Sequence, residues 1–165
     1  MTDNHNIPET SAENVTEINA NEALYKGRND ISRYKMREQA VLLSFERLFS
    51  DSDIDEIADN IIDSRDEYYS DYAIETAKAI EENISDIDTL ISDHLSKGWK
   101  ISRISRISLA VLRVAVYEMK YVDAVPVSVA INEAVELSKG YDEPDTVAFV
   151  NGVLGGFMRG EIENK

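Results

Sequence analysis

The chain of 165 residues has no cysteine, three prolines, seven glycines, one tryptophan and two histidines. Each shortage excludes something. Without cysteine there is no disulfide, no thiolate-bound zinc and no cysteine nucleophile. His5 and His94 lack metal-ligand partners at useful spacing, so no metal site is expected. No run approaches the roughly 20 apolar residues that a membrane-spanning helix needs. The first twenty residues hold neither the apolar block of a signal peptide nor the Arg-rich pattern of a transit peptide. Basic residues are also scarce, with 17 Lys and Arg against 32 Asp and Glu, for a net charge of −15. Taken as a total, that charge makes nucleic acid a poor partner, because phosphate binding is mainly cation meeting anion.

Against these absences, 43% of residues are hydrophobic, enough for one domain with a real core. The acidity is uneven. Residues 1–30 carry −4, residues 31–50 carry +2, residues 51–100 carry −11 and residues 101–165 carry −2. A surface binds through its local charge rather than the total, so residues 31–50 stand apart. Residues 1–30 are rich in Asn, Glu and Thr and read as a flexible acidic tail, with a transient helix near Glu22–Tyr25. Residues 31–160 form the expected domain and residues 161–165 a short tail.

Apolar spacing predicts helices throughout this domain. Ser32 is a plausible N-cap for a helix through Tyr34, Val41, Phe45 and Leu48, ending near Ser50. A second helix carries Ile54, Ile57, Ala58, Ile61 and Ile62, and a third spans about Glu67 to Asn83. A fourth covers Ile87, Leu90, Ile91 and Leu95, with Gly98 stopping it. The fifth, from Ile104 to Tyr121, is apolar on most sides and so expected at the centre. Pro126 at a first helical position and Gly140 as C-terminal cap bracket a sixth. Asp145 or Thr146 caps a seventh with Phe149, Val150, Val153, Leu154 and Phe157. No useful alternating strand pattern occurs, so the expected class is all-α, with about seven helices.

Several chemical readings fail. Asp51, Asp53 and Asp55 have the opening spacing of a calcium loop, but the sixth and twelfth places hold Glu56 and Ile62 where Gly and Glu are needed. An acidic first turn of a helix explains them better. His94 reads as standing alone on a polar helix face. Gly152, Gly155 and Gly156 match no phosphate-binding loop and read as close-packing positions in a helix. No serine has a base nearby in sequence, so no catalytic residue is assigned and an enzyme is unsupported.

Arg33, Lys35 and Arg37 are more informative. Residues 33 and 37 share a helix face and 35 points elsewhere. Ordinary surface charge is one reading. A basic cluster at a helix start, however, runs against the helix dipole, which suggests an anionic partner. Phosphate is the usual one, and arginine also stacks on unpaired bases.

Four blocks then follow in order: Leu112-Arg113-Val114-Ala115-Val116-Tyr117-Glu118, Val125-Pro126-Val127, Ala130-Ile131-Asn132-Glu133-Ala134-Val135-Glu136-Leu137 and Phe149-Val150-Asn151-Gly152-Val153-Leu154. Their order and spacing resemble the NusB family of bacterial transcription antitermination factors. Trp99, Arg103 and the stretch Arg33–Ala40 extend the resemblance over about residues 31–157. Most of these residues also read as helix packing. Asn132, Glu133 and Asn151 read as buried hydrogen-bonding groups, because their neighbours are apolar.

The resemblance implies two small helical bundles, no catalysis, no cofactor and a cytoplasmic setting. It implies pairing with the small-subunit ribosomal protein that doubles as NusE. That pair would bind boxA-type single-stranded RNA in ribosomal RNA transcripts and join an antitermination complex on RNA polymerase. Carried over by position, Arg33, Lys35 and Arg37 match the basic RNA-binding segment. Asp145, Thr146 and Phe149 match a loop and helix start near RNA, though Phe149 also fits plain core. The chain departs from the family in three respects: Tyr34 and Met36 interrupt the basic run, Ala148 precedes Phe149, and the tail is acidic. Few phosphate contacts predict weak binding alone and a shallow salt dependence. The alternative is an interaction module without direct RNA binding. It would be a homodimer hiding its basic face, or a domain whose acidic residues 51–100 dock or sequester a basic ribosomal protein.

Overall fold

Short polar side chains and one proline set the helix starts. The computed structural model describes residues 31–163 apart from Asp66, with side chains through Gly160. The hydroxyl of Ser32 accepts from the Lys35 backbone N–H at 3.2 Å and opens α1, Arg33–Arg47. Asp53 accepts from Glu56 N–H at 2.9 Å ahead of α2, Ile54–Arg65, so the acidic triplet there is a helix start. Ser70 caps α3, Asp71–Glu82, and Asn83 alone separates it from α4, Ile84–Asp93. A 3-10 turn at Ile101–Arg103 leads through the Ser105 cap into α5, Arg106–Tyr121. Helices α6, Val127–Tyr141, and α7, Pro144–Glu163, complete the seven among the described residues, which contain no strand. None of these helices is long and apolar enough to cross a membrane.

The helices form two groups, as expected. Helices α1, α2 and α3 pack on one another, and α4, α6 and α7 gather about α5, which also touches α1 and α3. Helix α5 is central because it is apolar almost all round: Leu109 to Leu112 and Val114 to Val116 are all buried. Residues 1–30, where the acidic tail and its transient helix were expected, lie outside the described residues.

Five helix ends differ from the sequence expectation, each for an identifiable physical reason. The third helix starts at Asp71 rather than near Glu67, because the buried Gln39 side chain accepts from Ser70 N–H at 2.9 Å and donates to Tyr68 O at 3.2 Å, holding that approach extended. The fourth ends at Asp93, where His94 Nδ1 meets Leu90 O at 2.7 Å. Gly98 instead takes φ +86° in the turn closed by Trp99 N–H to Ser96 O, a backbone shape glycine adopts freely. Gly140 lies inside α6, which ends where Asp142 accepts from the Ser108 hydroxyl at 2.7 Å, and Pro126 is the residue before its first turn. The seventh helix opens on Pro144, whose fixed φ suits a first helical position, so Asp145 and Thr146 sit inside its first turn. His94 is not isolated on a polar face either. Its ring packs 5.3 Å from Phe157, over the small residues Gly156 and Gly160 of α7.

A buried polar cluster joins the two groups of helices. Arg37 of α1 donates from Nε to both oxygens of Glu118 on α5, at 2.9 and 3.0 Å. Tyr72 of α3 donates its hydroxyl to the same carboxylate at 2.9 Å, and Glu133 of α6 lies 3.9 Å from Arg37. Arg37 is 6% exposed and Glu118 1%. A second pair, Arg113 on α5 with Asp88 on α4, is bidentate at 2.9 and 2.8 Å.

Removing one member of the first pair strands a buried charge. Glu118→Ala is expected to cost about 3–5 kcal/mol in urea unfolding, whereas replacing the whole cluster by Arg37→Met, Tyr72→Phe and Glu118→Leu should recover most of that loss. Burial first, then the Glu118 carboxylate, pushes the Tyr72 phenol well above its ordinary value of 10.0. Folding thus favours the protonated phenol. The stability it supplies is full below the unfolded value and drains as pH climbs toward the folded one. Stability should fall above about pH 10, and Tyr72→Phe should flatten that fall by up to about 1.4 kcal/mol per pH unit in urea midpoints.

Candidate nucleic-acid interface

The start of α1 presents its cations unequally. Arg33 is exposed, and Lys35 is partly exposed, 3.0 Å from Glu38 and 3.9 Å from Glu67. Arg37, expected beside Arg33 as a contact for RNA, turns inward to Glu118 instead. The reason is α5: an uncompensated carboxylate in the core would cost several kcal/mol, so the arginine one turn along is drawn to it. Arg47 lies at the other end of α1, 3.4 Å from Glu81.

Tyr34, between the two outward cations, is 40% exposed, and Tyr141 at the end of α6 is 39% exposed. Glu38 links this corner together, accepting from the Tyr141 hydroxyl at 2.7 Å and from Lys35. Burial pushes the Glu38 carboxyl up, but the Tyr141 and Lys35 hydrogen bonds outweigh it and hold the group below its ordinary range. Burial, followed by the hydrogen bond to Glu38, raises the Tyr141 phenol, so it stays a donor. The acid beside the cations is therefore already engaged by two donors.

Tyr141 is followed directly by Asp142, whose carboxylate reaches Ser108 on α5. Ser108 lines a groove of about 380 Å³ between the starts of α5 and α7. Trp99, Arg103, Ile104 and Ser105 form one side, and Asp145, Thr146 and Phe149 the other. The Trp99 and Phe149 rings lie 5.6 Å apart at 32°, and Trp99 is 48% exposed. Gly98 makes this possible, since its turn brings Trp99 round to the groove. Phe149 is half-buried, packing on the core while it also walls the groove.

Arg33 and Lys35 thus share one corner, Asp145, Thr146 and Phe149 share the groove, and consecutive residues Tyr141 and Asp142 connect the two. Sequence reasoning noted Trp99 and Arg103 without giving them a site. It missed Tyr141, whose role depends on the distant Glu38. Asn132 and Asn151 are exposed rather than buried, and Glu133 is half-buried near Arg37. Their apolar neighbours face the core while these positions of α6 and α7 face out.

Known proteins share this fold and sequence. A sequence model described as NusB family matches residues 32–159. A transcription antitermination protein NusB from Clostridium novyi (strain NT) is 38% identical over 133 residues, covering 78% of this chain and 99% of its own. A solved structure of NusB from T. maritima superposes with TM-score 0.66 at 34% identity, over 78% of this chain and 92% of that one. A chain from a crystal structure of antitermination factors NusB and NusE in complex with double-stranded RNA has TM-score 0.67 at 23% identity, covering 79% and 99% of the two chains. With the family model matching residues 32–159 and a relative at this identity covered almost end to end, the chain belongs to the NusB family.

Proposed function

We propose that this protein is a transcription antitermination factor that binds boxA-type single-stranded RNA of ribosomal RNA transcripts together with NusE and joins the antitermination complex on RNA polymerase in the cytoplasm. The observation that carries the reading is the linked surface: outward cations Arg33 and Lys35 at one end, and an aromatic groove with Asp145, Thr146 and Phe149 at the other. The family membership and the NusB–NusE complex with RNA among proteins of this fold support it. Residues 31–160 are the working unit, with residues 1–30 and 161–165 as tails outside it.

The cations hold phosphate and orient the strand, and the groove takes unstacked bases. Arg37 keeps the helix in place and contributes no direct contact. Two outward cations are few, so NusE supplies much of the positive surface. The acidic face of α2 to α4, where Asp55, Glu56, Asp59, Asp63 and Glu75 are exposed, is the natural approach for a basic protein. If that docking is the whole function, the protein is an interaction module instead.

Fluorescence anisotropy with a labelled boxA-type RNA, with and without NusE, separates these readings. Tight binding is expected only with NusE present. Equal affinity for a scrambled strand or for a duplex of the same length would count against boxA recognition. Arg33→Ala with Lys35→Ala should weaken RNA binding by the complex and reduce the slope of log affinity against log salt by about 1.4. An unchanged slope and affinity would favour the interaction module. Arg37→Ala should lower the unfolding midpoint and leave the salt slope of the folded fraction unaltered.

A further inference from the structure

An excess of unpaired positive charge lies where α4 passes into α5. No acid occurs between Asp93 and Glu118, and in that stretch Lys97, Lys100, Arg103 and Arg106 recur at every third residue. From Lys100 the pattern is a triplet repeat: Lys100-Ile101-Ser102, Arg103-Ile104-Ser105 and Arg106-Ile107-Ser108. The backbone turn has the same period, with Arg103 N–H donating to Lys100 O at 2.9 Å and Ile104 N–H to Ile101 O at 3.1 Å. Such a turn aligns side chains three apart. Here the isoleucines pack on the core while all four cations are exposed. Elsewhere on the surface, exposed cations are held by acids: Lys35 by Glu38, Lys78 by Asp55 and Lys139 by Glu136. The four cations of this strip form no ion pair among the described residues. Arg106 instead rests 4.3 Å above the Phe49 ring, which leaves its charge uncompensated.

The sequence holds a matching run of acids that the reading above does not use. Asp3, Glu9, Glu13, Glu17 and Glu22 are the only charged side chains of residues 1–25, for −5. Lys26, Arg28 and Asp30 follow, for +1. The tail therefore carries its acids away from α1 and its bases next to the corner at Arg33 and Lys35. Helix α1 has 15 residues and is about 22 Å long at 1.5 Å per residue. Phe49, just past its end, marks the strip. Glu22 precedes Ile31 by nine residues, whose greatest span is about 30 Å at 3.3 Å per residue. Glu22 and every acid before it can thus reach the strip, whereas Asp30 cannot.

A tether of this length keeps the acids at a local concentration in about the millimolar range. A basic partner such as NusE would be repelled by the strip. A second copy of the chain could offer its acidic face, but Asp55 and Glu81 there are taken by Lys78 and Arg47, and no tether assists it.

We propose that the acids of residues 1–25 pair with Lys97, Lys100, Arg103 and Arg106 of the same molecule, as a removable cover. Arg103 belongs to the groove wall as well as to the strip. An acid seated on it occupies the place of an anionic strand, so RNA entering the groove must displace the tail. That consequence rests on the RNA-binding reading above; the pairing itself does not.

Carbodiimide coupling of the full-length protein tests the pairing. It forms an amide between a carboxylate and a lysine Nζ that already touch, while the carbodiimide takes up the lost oxygen as a urea. Mass spectrometry should find tail acids joined to Lys97 or Lys100 at several times the yield at Lys78, Lys120 or Lys139, and high salt should reduce it. In a mixture of isotope-labelled and unlabelled chains, each link should fall within one chain. Links spread evenly over the exposed lysines, or absent from Lys97 and Lys100, would overturn the proposal. Links between chains would overturn it by assigning the strip to a second copy. The consequence is tested by Asp3→Asn with Glu9→Gln, Glu13→Gln, Glu17→Gln and Glu22→Gln, with circular dichroism melts to show that the helical domain is intact. Anisotropy with boxA-type RNA and NusE should show affinity raised about threefold to tenfold. Unchanged affinity would overturn the competition with RNA. Absence of RNA binding by either chain would remove the RNA reading and this consequence with it, while the coupling result still decides the pairing.

Discussion

Two opposite charges meet where α1 crosses α5, almost out of reach of water. Taking an arginine and a glutamate from solvent costs several kcal/mol for each ion, and their attraction offsets this only when geometry is good and the remaining lone pairs are used. Both conditions hold here: Arg37 reaches both Glu118 oxygens, and Tyr72 donates to one of them. The three residues come from α1, α5 and α3, so the cluster is satisfied in only one mutual placement of those helices. Apolar contacts tolerate sliding by a fraction of a turn, whereas this cluster does not. The Arg113 pair with Asp88 imposes a similar condition on α4. The two groups of helices are thereby held in register by polar geometry laid over an apolar core.

The candidate surface follows from that register. Once Arg37 is pinned, Arg33 and Lys35, one turn and half a turn earlier, must emerge at the end of α1 beside the last turn of α6. Tyr141 can then reach Glu38, and the next residue can reach back to Ser108 at the start of α5. The groove lies at that point because α5 and α7 begin side by side there, with Trp99 delivered by the turn at Gly98. The residue that the sequence offered as an RNA contact, Arg37, thus serves the surface by holding it in place.

What could be read from the sequence was whatever depended on neighbours along the chain. Apolar spacing located most of the helices, α5 burying nearly all of its faces, while Pro126 and Gly140 bracketed the sixth. Ser32 was legible as a cap because its partner is three residues away. Two of the misplaced ends have the opposite property. Ser70 opens α3 because Gln39, 31 residues earlier, holds its N–H, and α6 ends where Asp142 finds Ser108, 34 residues earlier. Arg37 looked like surface because Glu118 is 81 residues on, and no local pattern marks a buried carboxylate. Asn132 and Asn151 looked buried because apolar residues flank them, but a helix places neighbours in sequence on different faces. The groove was legible only in part: Asp145, Thr146 and Phe149 came through resemblance, while Trp99 and Arg103 needed the fold to bring them opposite.

Net charge takes on a different meaning in this structure. A total of −15 opposes RNA at long range, yet its consequences depend on where the acids sit. The excess lies on α2 to α4 and, near the cations, Glu38 is already held by Tyr141 and Lys35. An acidic protein with a small basic corner would gain little from counterion release on binding RNA, so the proposed function needs contacts that salt does not screen. The aromatic groove at the end of the same surface has the rings to offer one. Under the proposed function, the acidic helices would repel RNA arriving along that face and attract a basic protein to it. On the proposed function, charge segregation of this kind would leave one route for the strand and another for the partner.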